Sequence, residues 1–309
     1  MADTSIVPSC HRTRIAPTPS GFLHLGNVLS FILTAALAEK HGIPILLRID
    51  DMDQQRVRQE YVQDIFDTLQ FLGLPWHEGP QNAEEFEKTY AQRHRMIHYN
   101  QLLETLQSRH LLFACDCSRS MLGKEAYTCQ CLYKKLPLDA DGVSWRLITD
   151  PELPVQVTEN GRIHTTTLPA IQHYFVIRKK DGYPAYQLCS LADDLYFGVD
   201  LIVRGIDLWP STLAQHYLAQ ACDHHSFSKA FFVHHALLND STGRKLSKSA
   251  GALSVRHLRA TGKTPAQIFT LIAGMSGLSG SVSTWQELGV RLLNAHSGFK
   301  TAESSSPLL

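Results

Sequence analysis

The first seventy residues alternate between extended and helical patterns, and that alternation restricts the chain to an α/β architecture built on a parallel sheet. An extended run near Thr13 to Ala16 stops at Pro17 and Pro19. A long apolar helix is predicted from near Gly26 to Gly42, then a strand from Ile43 to Ile49 and a helix from Gln54 to Leu72. A β-α-β-α opening of this kind favours a Rossmann-type parallel sheet whose ligands sit at the carboxyl edge of the strands.

The segment ahead of the first helix, His24-Leu25-Gly26-Asn27, reads as an anion site. A helix N-terminus presents unpaired N–H groups and a partial positive charge. Gly26 lets a phosphate or adenine approach the backbone, and His24 can donate to a phosphoryl oxygen. Taken alone, His24 reads as an ordinary loop histidine beside a helix cap. A second segment near the other end, Gly243-Arg244-Lys245-Leu246-Ser247-Lys248-Ser249, puts two lysines on a loop rich in small residues. Such lysines can close over a triphosphate and meet the charge that builds up as the α-phosphate is attacked and pyrophosphate leaves. Alone it reads as a solvated basic loop; the two segments together point to ATP cleavage.

Cys115, Cys117, Cys129 and Cys131 crowd one short stretch. No signal peptide precedes them, and in a reducing compartment such a cluster is more often a metal site than a pair of disulfides. Zn²⁺ suits thiolates, and three or four protein ligands would close a small knuckle that could not otherwise build a core. Cys10, Cys189 and Cys222 read as isolated free thiols. The β-α rhythm breaks between Phe113 and Asp181, which reads as an insertion (113–181) between two halves of a catalytic domain (1–112 and 182–256). Sheet elements are expected to resume at Tyr174 to Ile177 and Leu201 to Arg204, followed by a helix from Ser211 to Cys222. Residues 257–309 read as a short helical tail with helices at Pro265 to Met275 and Thr284 to Asn294.

Lysines plus arginines equal aspartates plus glutamates at 29 each, which excludes a globally basic nucleic-acid binder and leaves only local contacts. The basic stretches that could make them are Lys134-Lys135, Arg178-Lys179-Lys180 and Arg256 to Lys263. No apolar run approaches the roughly 20 residues that cross a membrane, so the expected setting is cytoplasmic and the expected state a monomer.

The two segments resemble the HIGH and KMSKS signatures of class I aminoacyl-tRNA synthetases. Arg14 to Gly21, Leu47 to Asp53, Asp181 to Tyr186 and Asp193 to Gly205 narrow the resemblance to the glutamyl and glutaminyl branch, over about residues 12 to 256. Within it the chain is most similar to the truncated glutamyl-queuosine tRNA(Asp) synthetases. Only Ala250 to Leu309 follow the second signature, where full glutamyl enzymes carry an anticodon-binding domain. The truncated family's metal pattern also matches Cys115, Cys117, Tyr127 and Cys131, with Cys129 as the alternative to Tyr127.

This resemblance implies ATP contacts from His24, Gly26, Asn27, Lys245 and Lys248, with His24, Asn27 and the two lysines taking part in catalysis. It implies an amino-acid pocket of Arg14, Ala16, Thr18, Asp50, Tyr186 and Arg204. Arg14 at a strand end is a fork for a carboxylate, and Arg204 is assigned to the substrate γ-carboxylate or its neighbour. Asp50 stands where glutamyl enzymes have a glutamate that meets the substrate ammonium; the other reading of Asp50, Asp51 and Asp53 is as caps of the next helix. Asn27 replaces the final histidine of the first signature. The implied reaction is tRNA-independent formation of glutamyl-adenylate from glutamate and ATP, with Mg²⁺ on the phosphates, then transfer to queuosine in the anticodon stem-loop of tRNA(Asp). The alternatives are a stand-alone glutamyl or glutaminyl-type synthetase charging a 3′ end, an HxGH-type nucleotidylyltransferase and a non-catalytic tRNA-binding paralogue.

Overall fold

The protein, seen in a computed structural model, is described over residues 9–118, 121, 130–238 and 254–295. Tyr127, Cys129, Lys245 and Lys248 lie outside the described residues. Helix α1, Leu25–His41, forms where Leu, Val, Phe, Ile and Ala run almost unbroken, and most of its side chains are buried. Gly42 ends it in the left-handed conformation (φ 64°), returning its N–H to the carbonyls of Ala38 and Glu39.

β1 (Thr13–Ile15) lies beside β2 (Ile45–Leu47) on one side and β8 (Leu201–Gly205) on the other, parallel to both. Beyond β8 follow β9 (Phe231–His235) and β5 (Val155–Glu159), also parallel, and β6 (Arg162–Thr166) closes that edge antiparallel to β5. The order is β2-β1-β8-β9-β5-β6. The chain runs outward from β1 to β2 and, later, outward the other way from β8 to β9, so the order reverses between β1 and β8. A second, antiparallel sheet contains β3 (Leu112–Cys115), β4 (Ser144–Leu147) and β7 (Val176–Arg178) in the order β3-β4-β7.

One face of the large sheet packs against α1, α2 (Gln59–Leu72) and the tail helices α8 (Val255–Ala260), α9 (Pro265–Met275) and α10 (Trp285–Ala295). Its other face packs against α4 (Met96–Ser108), α6 (Tyr186–Tyr196) and α7 (Trp209–Ala221), while α3 (Ala83–Glu85) is a single turn and α5 (Cys131–Lys134) sits beside β3. α10 approaches α1 so closely that a Cβ at Gly289 would lie 2.5 Å from that of Ala36, which is why a glycine stands inside that helix.

Three expectations need correction. α2 starts at Gln59 rather than Gln54, because residues 54–56 form a turn closed by the Arg56 N–H on the Asp53 carbonyl. Asp50, Asp51 and Asp53 therefore do not cap it; the N-cap is Arg58, without a side-chain bond. The extended run at Tyr174 to Ile177 belongs to the small sheet, because β7 pairs with β4 and Arg178 stacks on Trp145 at 4.6 Å. The large sheet is extended instead by the β5–β6 hairpin, whose buried Val155 and Val157 supply the apolar face that the sheet needs there. Asn160 and Gly161 turn that hairpin with φ of 49° and 78°.

Candidate active site

The carboxyl ends of β1 and β8, where the strand order reverses, open into a cavity of about 1040 Å³. This is the crevice at which open α/β sheets bind ligands. Arg14, Ala16 and Thr18 reach it from β1 and the turn after it, His24, Gly26 and Asn27 from the start of α1, Asp50 from beyond β2, Tyr186 from the start of α6 and Arg204 from β8. The nucleotide and amino-acid residues expected from sequence thus converge, where described, on one cavity. The described residues on either side of the lysine loop, Leu238 and Ser254, also line it.

At the head of α1 the geometry departs from the expected anion cradle. The His24 ring is the helix cap: its Nδ1 accepts the Gly26 N–H at 3.1 Å, and Asn27 Oδ1 accepts the His24 N–H at 3.1 Å, a reciprocal capping box. A Cβ at Gly26 would meet the imidazole at 3.1 Å. The glycine therefore makes room for His24, and its N–H is already taken. In neutral His24 the proton is consequently on Nε2, which becomes the ring's donor. Asn27, with its oxygen in the cap, has its amide N–H₂ end left to offer.

Behind the cavity lies a buried ionic network that the sequence reading largely missed. Arg48 forks onto Asp50, Nε to Oδ1 at 2.7 Å and Nη2 to Oδ2 at 3.1 Å, and its Nη1 meets Asp194 Oδ1 at 2.6 Å. Arg14 Nε reaches the same Asp194 oxygen at 3.1 Å. Asp193, the next residue on α6, accepts from Arg95, Tyr99 and Gln92, and Gln92 is tied back through its N–H to Asp51. Burial works against charge throughout this cluster. For Arg48 the carboxylates of Asp194, Asp50 and Asp193 overcome it and hold the guanidinium well above its usual range. For Asp193, bonds and charges from Arg95 and Arg48 likewise keep the carboxyl below its usual range. Asp50 is raised by burial in spite of Arg48. The available signal was Asp193-Asp194 side by side in a helix that carries no other charge, since two adjacent acids are buried only with cations to meet them.

Arg204 differs from its neighbours. It is buried, and its Nη1 donates to Gln215 Oε1 at 3.0 Å and Thr212 Oγ1 at 3.4 Å, both on α7. Its Nε and Nη2, both sealed from solvent, have no hydrogen-bond partner among the described residues. Those two nitrogens form one edge of the guanidinium fork, the edge that in Arg48 is filled by Asp50. Burial pushes the Arg204 pKa down to about 10 in spite of the Asp194 carboxylate nearby, so at neutral pH it remains a cation that forms no ion pair among the described residues.

Cys115, Cys117 and Cys131 lie apart from this cavity, buried, with their sulfurs all within 4.8 Å of one another and Cys117 Sγ 3.6 Å from Cys131 Sγ. A Zn–S bond of about 2.3 Å places two ligands of a tetrahedron about 3.8 Å apart, so the three thiols fit that ion. Asp116, not foreseen, lies 3.0 Å from Cys131 Sγ and is paired with Lys134. No described helix is long and apolar enough to cross a membrane.

A family model for class I tRNA synthetases (E and Q), catalytic domain, matches residues 11–136 and 139–284. The chain is 34% identical over 269 residues to the glutamyl-Q tRNA(Asp) synthetase of a Synechococcus species, covering 87% of this chain and 83% of that protein. It is 32% identical to the protein of the same name in Symbiobacterium thermophilum, covering 86% of each. Identity is 31% to glutamate–tRNA ligase 2 of Acidithiobacillus ferrooxidans, of which the chain spans 57%. In fold it is similar to the crystal structure of a glutamate tRNA ligase from Elizabethkingia meningosepticum, with a TM-score of 0.70 at 18% identity, over 91% of this chain and 64% of that one. With the sheet, the crevice and the sequence match in agreement, the chain belongs to the class I (E and Q) tRNA synthetases, a family of aminoacyl-tRNA synthetase-like ligases.

Proposed function

We propose that this protein activates glutamate with ATP, without tRNA, and passes the glutamyl group to queuosine in the anticodon of tRNA(Asp). The observation that carries the amino-acid assignment is the open fork of Arg204. Arg204 lines the cavity, and a buried guanidinium with two solvent-sealed, unpartnered nitrogens calls for an anion; a carboxylate would fill both positions at once. Arg14 stands on the same wall for the other carboxylate or its neighbour, and Asp50, although forked by Arg48, keeps lone pairs for the substrate ammonium.

In the reaction the substrate carboxylate attacks the α-phosphate of ATP and pyrophosphate leaves, with Mg²⁺ on the phosphates. No protein nucleophile is needed. His24, through Nε2–H, and Asn27, through its amide, donate to phosphate or ribose from the head of α1, while Lys245 and Lys248 meet the charge on the departing group. Cys115, Cys117 and Cys131, with Tyr127 or Cys129, would hold Zn²⁺, whose part is to brace the small cluster of Phe113, Leu132, Ile148 and Tyr174 around β3 and α5. Lys134 and Lys180 both reach Asp116, at 3.0 Å and 2.6 Å, so the two nearer basic stretches meet beside the thiols and offer a short grip for one stem-loop. The queuosine acceptor is supported by the names of the relatives from Synechococcus and Symbiobacterium.

The test has two parts. ATP–pyrophosphate exchange should require glutamate and no tRNA, and exchange with glutamine alone would overturn the amino-acid assignment. An isolated anticodon stem-loop carrying queuosine should be acylated nearly as well as whole tRNA(Asp), and the same stem-loop with guanosine should not. Acylation that disappears when the 3′-terminal adenosine is removed would instead assign the protein to 3′-end charging.

A further inference from the structure

Three arginines line the cavity, and they are held in different ways. Arg14 and Arg48 are fixed by carboxylates, Asp194 and Asp50, which neutralise them as they position them. Arg204 is fixed by neutral acceptors alone, Gln215 Oε1 and Thr212 Oγ1, and its flat face lies 5.2 Å over the ring of Phe232. Gln215 is fully buried; its Oε1 accepts from Arg204, and its Nε2 has no hydrogen-bond partner among the described residues. Thr212 is itself anchored, 2.8 Å from His234 Nε2, and His234 Nδ1 lies 2.6 Å from Glu159 on the β5 strand end. On this supporting side a carboxylate, Glu159, enters only two side chains behind Arg204; Asp194 acts on it through space and makes no hydrogen bond to it.

We propose that Gln215 is a specificity-determining positioning residue: its neutral oxygen fixes one corner of Arg204 so that the guanidinium presents its Nε–Nη2 edge, uncompensated, to an acidic side chain of the amino-acid substrate. A glutamate at 215 would have the same shape and reach but would supply the counter-ion that the substrate has to bring. A residue with no acceptor would let the fork turn. In either case the cost falls on binding of the acid, since Gln215 touches neither the nucleotide side of the cavity nor the reacting carboxylate. This inference rests on the proposed amino-acid assignment.

The experiment is steady-state pyrophosphate exchange on the full chain, comparing wild type with Gln215→Glu and Gln215→Met, with glutamate and ATP varied separately. Gln215→Glu is expected to raise the KM for glutamate by roughly tenfold or more and to move the kcat/KM ratio towards glutamine, with the KM for ATP unchanged, as expected when a charge-assisted contact made in the ground state is lost. Gln215→Met, which keeps the volume and removes the charge question, is expected to raise the same KM by a smaller factor. A glutamate KM equal to wild type in both variants would overturn the role of Gln215 while leaving the proposed function standing. A rise in both KM values together, or loss of folding in both variants by thermal melting, would reduce Gln215 to a structural residue and overturn it as well. Wild-type protein with no glutamate-dependent exchange would overturn both readings.

Discussion

His24 and Ser254 form an antiparallel β-bridge, which sets the N-caps of α1 and α8 side by side. The adjoining Val255 N–H donates to the Leu23 carbonyl at 2.8 Å, and Arg256 lies over the Phe22 ring at 4.4 Å. The chain that carries Lys245 and Lys248 thus returns to the described structure beside the histidine expected to share a triphosphate with them. It leaves from Leu238, on the same cavity wall.

Lys248→Ala should lower the exchange rate by roughly 100-fold while leaving glutamate binding nearly intact, because a lysine that meets charge arising only in the transition state contributes little before it. Exchange kinetics together with glutamate titration check this. An unchanged rate would return the loop to a solvated basic turn.

Asp194 is fully buried and shares one oxygen between Arg14 and Arg48. Asp194→Asn should destabilise the fold by about 3 kcal/mol, since two buried guanidiniums then lose their common counter-charge. Urea unfolding should show a lower midpoint at an unchanged m value.

His216 is buried between Phe227 and Phe232, and burial pushes its pKa down from 6.5 to about 4. As pH falls, the unfolded chain takes up this proton before the folded one does. The stability associated with neutral His216 is therefore full above about pH 6.5 and is lost progressively towards pH 4, by up to about 3 kcal/mol. His216→Leu should flatten that part of the stability profile, measured by denaturant midpoints from pH 4 to 7.

One zinc should copurify with each chain, and Cys115→Ser should lose it; full stoichiometry in that variant would remove the site. Tyr127→Phe and Cys129→Ser then identify the fourth ligand, because only loss of a true ligand weakens retention strongly. Metal analysis of the purified variants is the measurement.

Local pattern was enough for the elements that are decided locally. The limits of α1 followed from an apolar run stopped by Gly42, and α9 from a proline start at Pro265, because helix caps and burial stripes are written within a few residues. The two signature segments and the pocket residues were readable one at a time, and the fold brings those that are described to one crevice. The later start of α2 and the capping role of His24 are local too, a turn and a capping box within four residues each. Two things were decided by tertiary structure: the β5–β6 hairpin extending the large sheet, and the pairing that neutralises Arg14 and Arg48 but leaves the Nε–Nη2 edge of Arg204 unpartnered. Nothing near Arg204 in the chain says that Gln215 rather than an aspartate will face it. A side chain's periodicity reports that it is buried; its charge balance depends on which residue of another element stands opposite, and only the packed sheet and helices determine that.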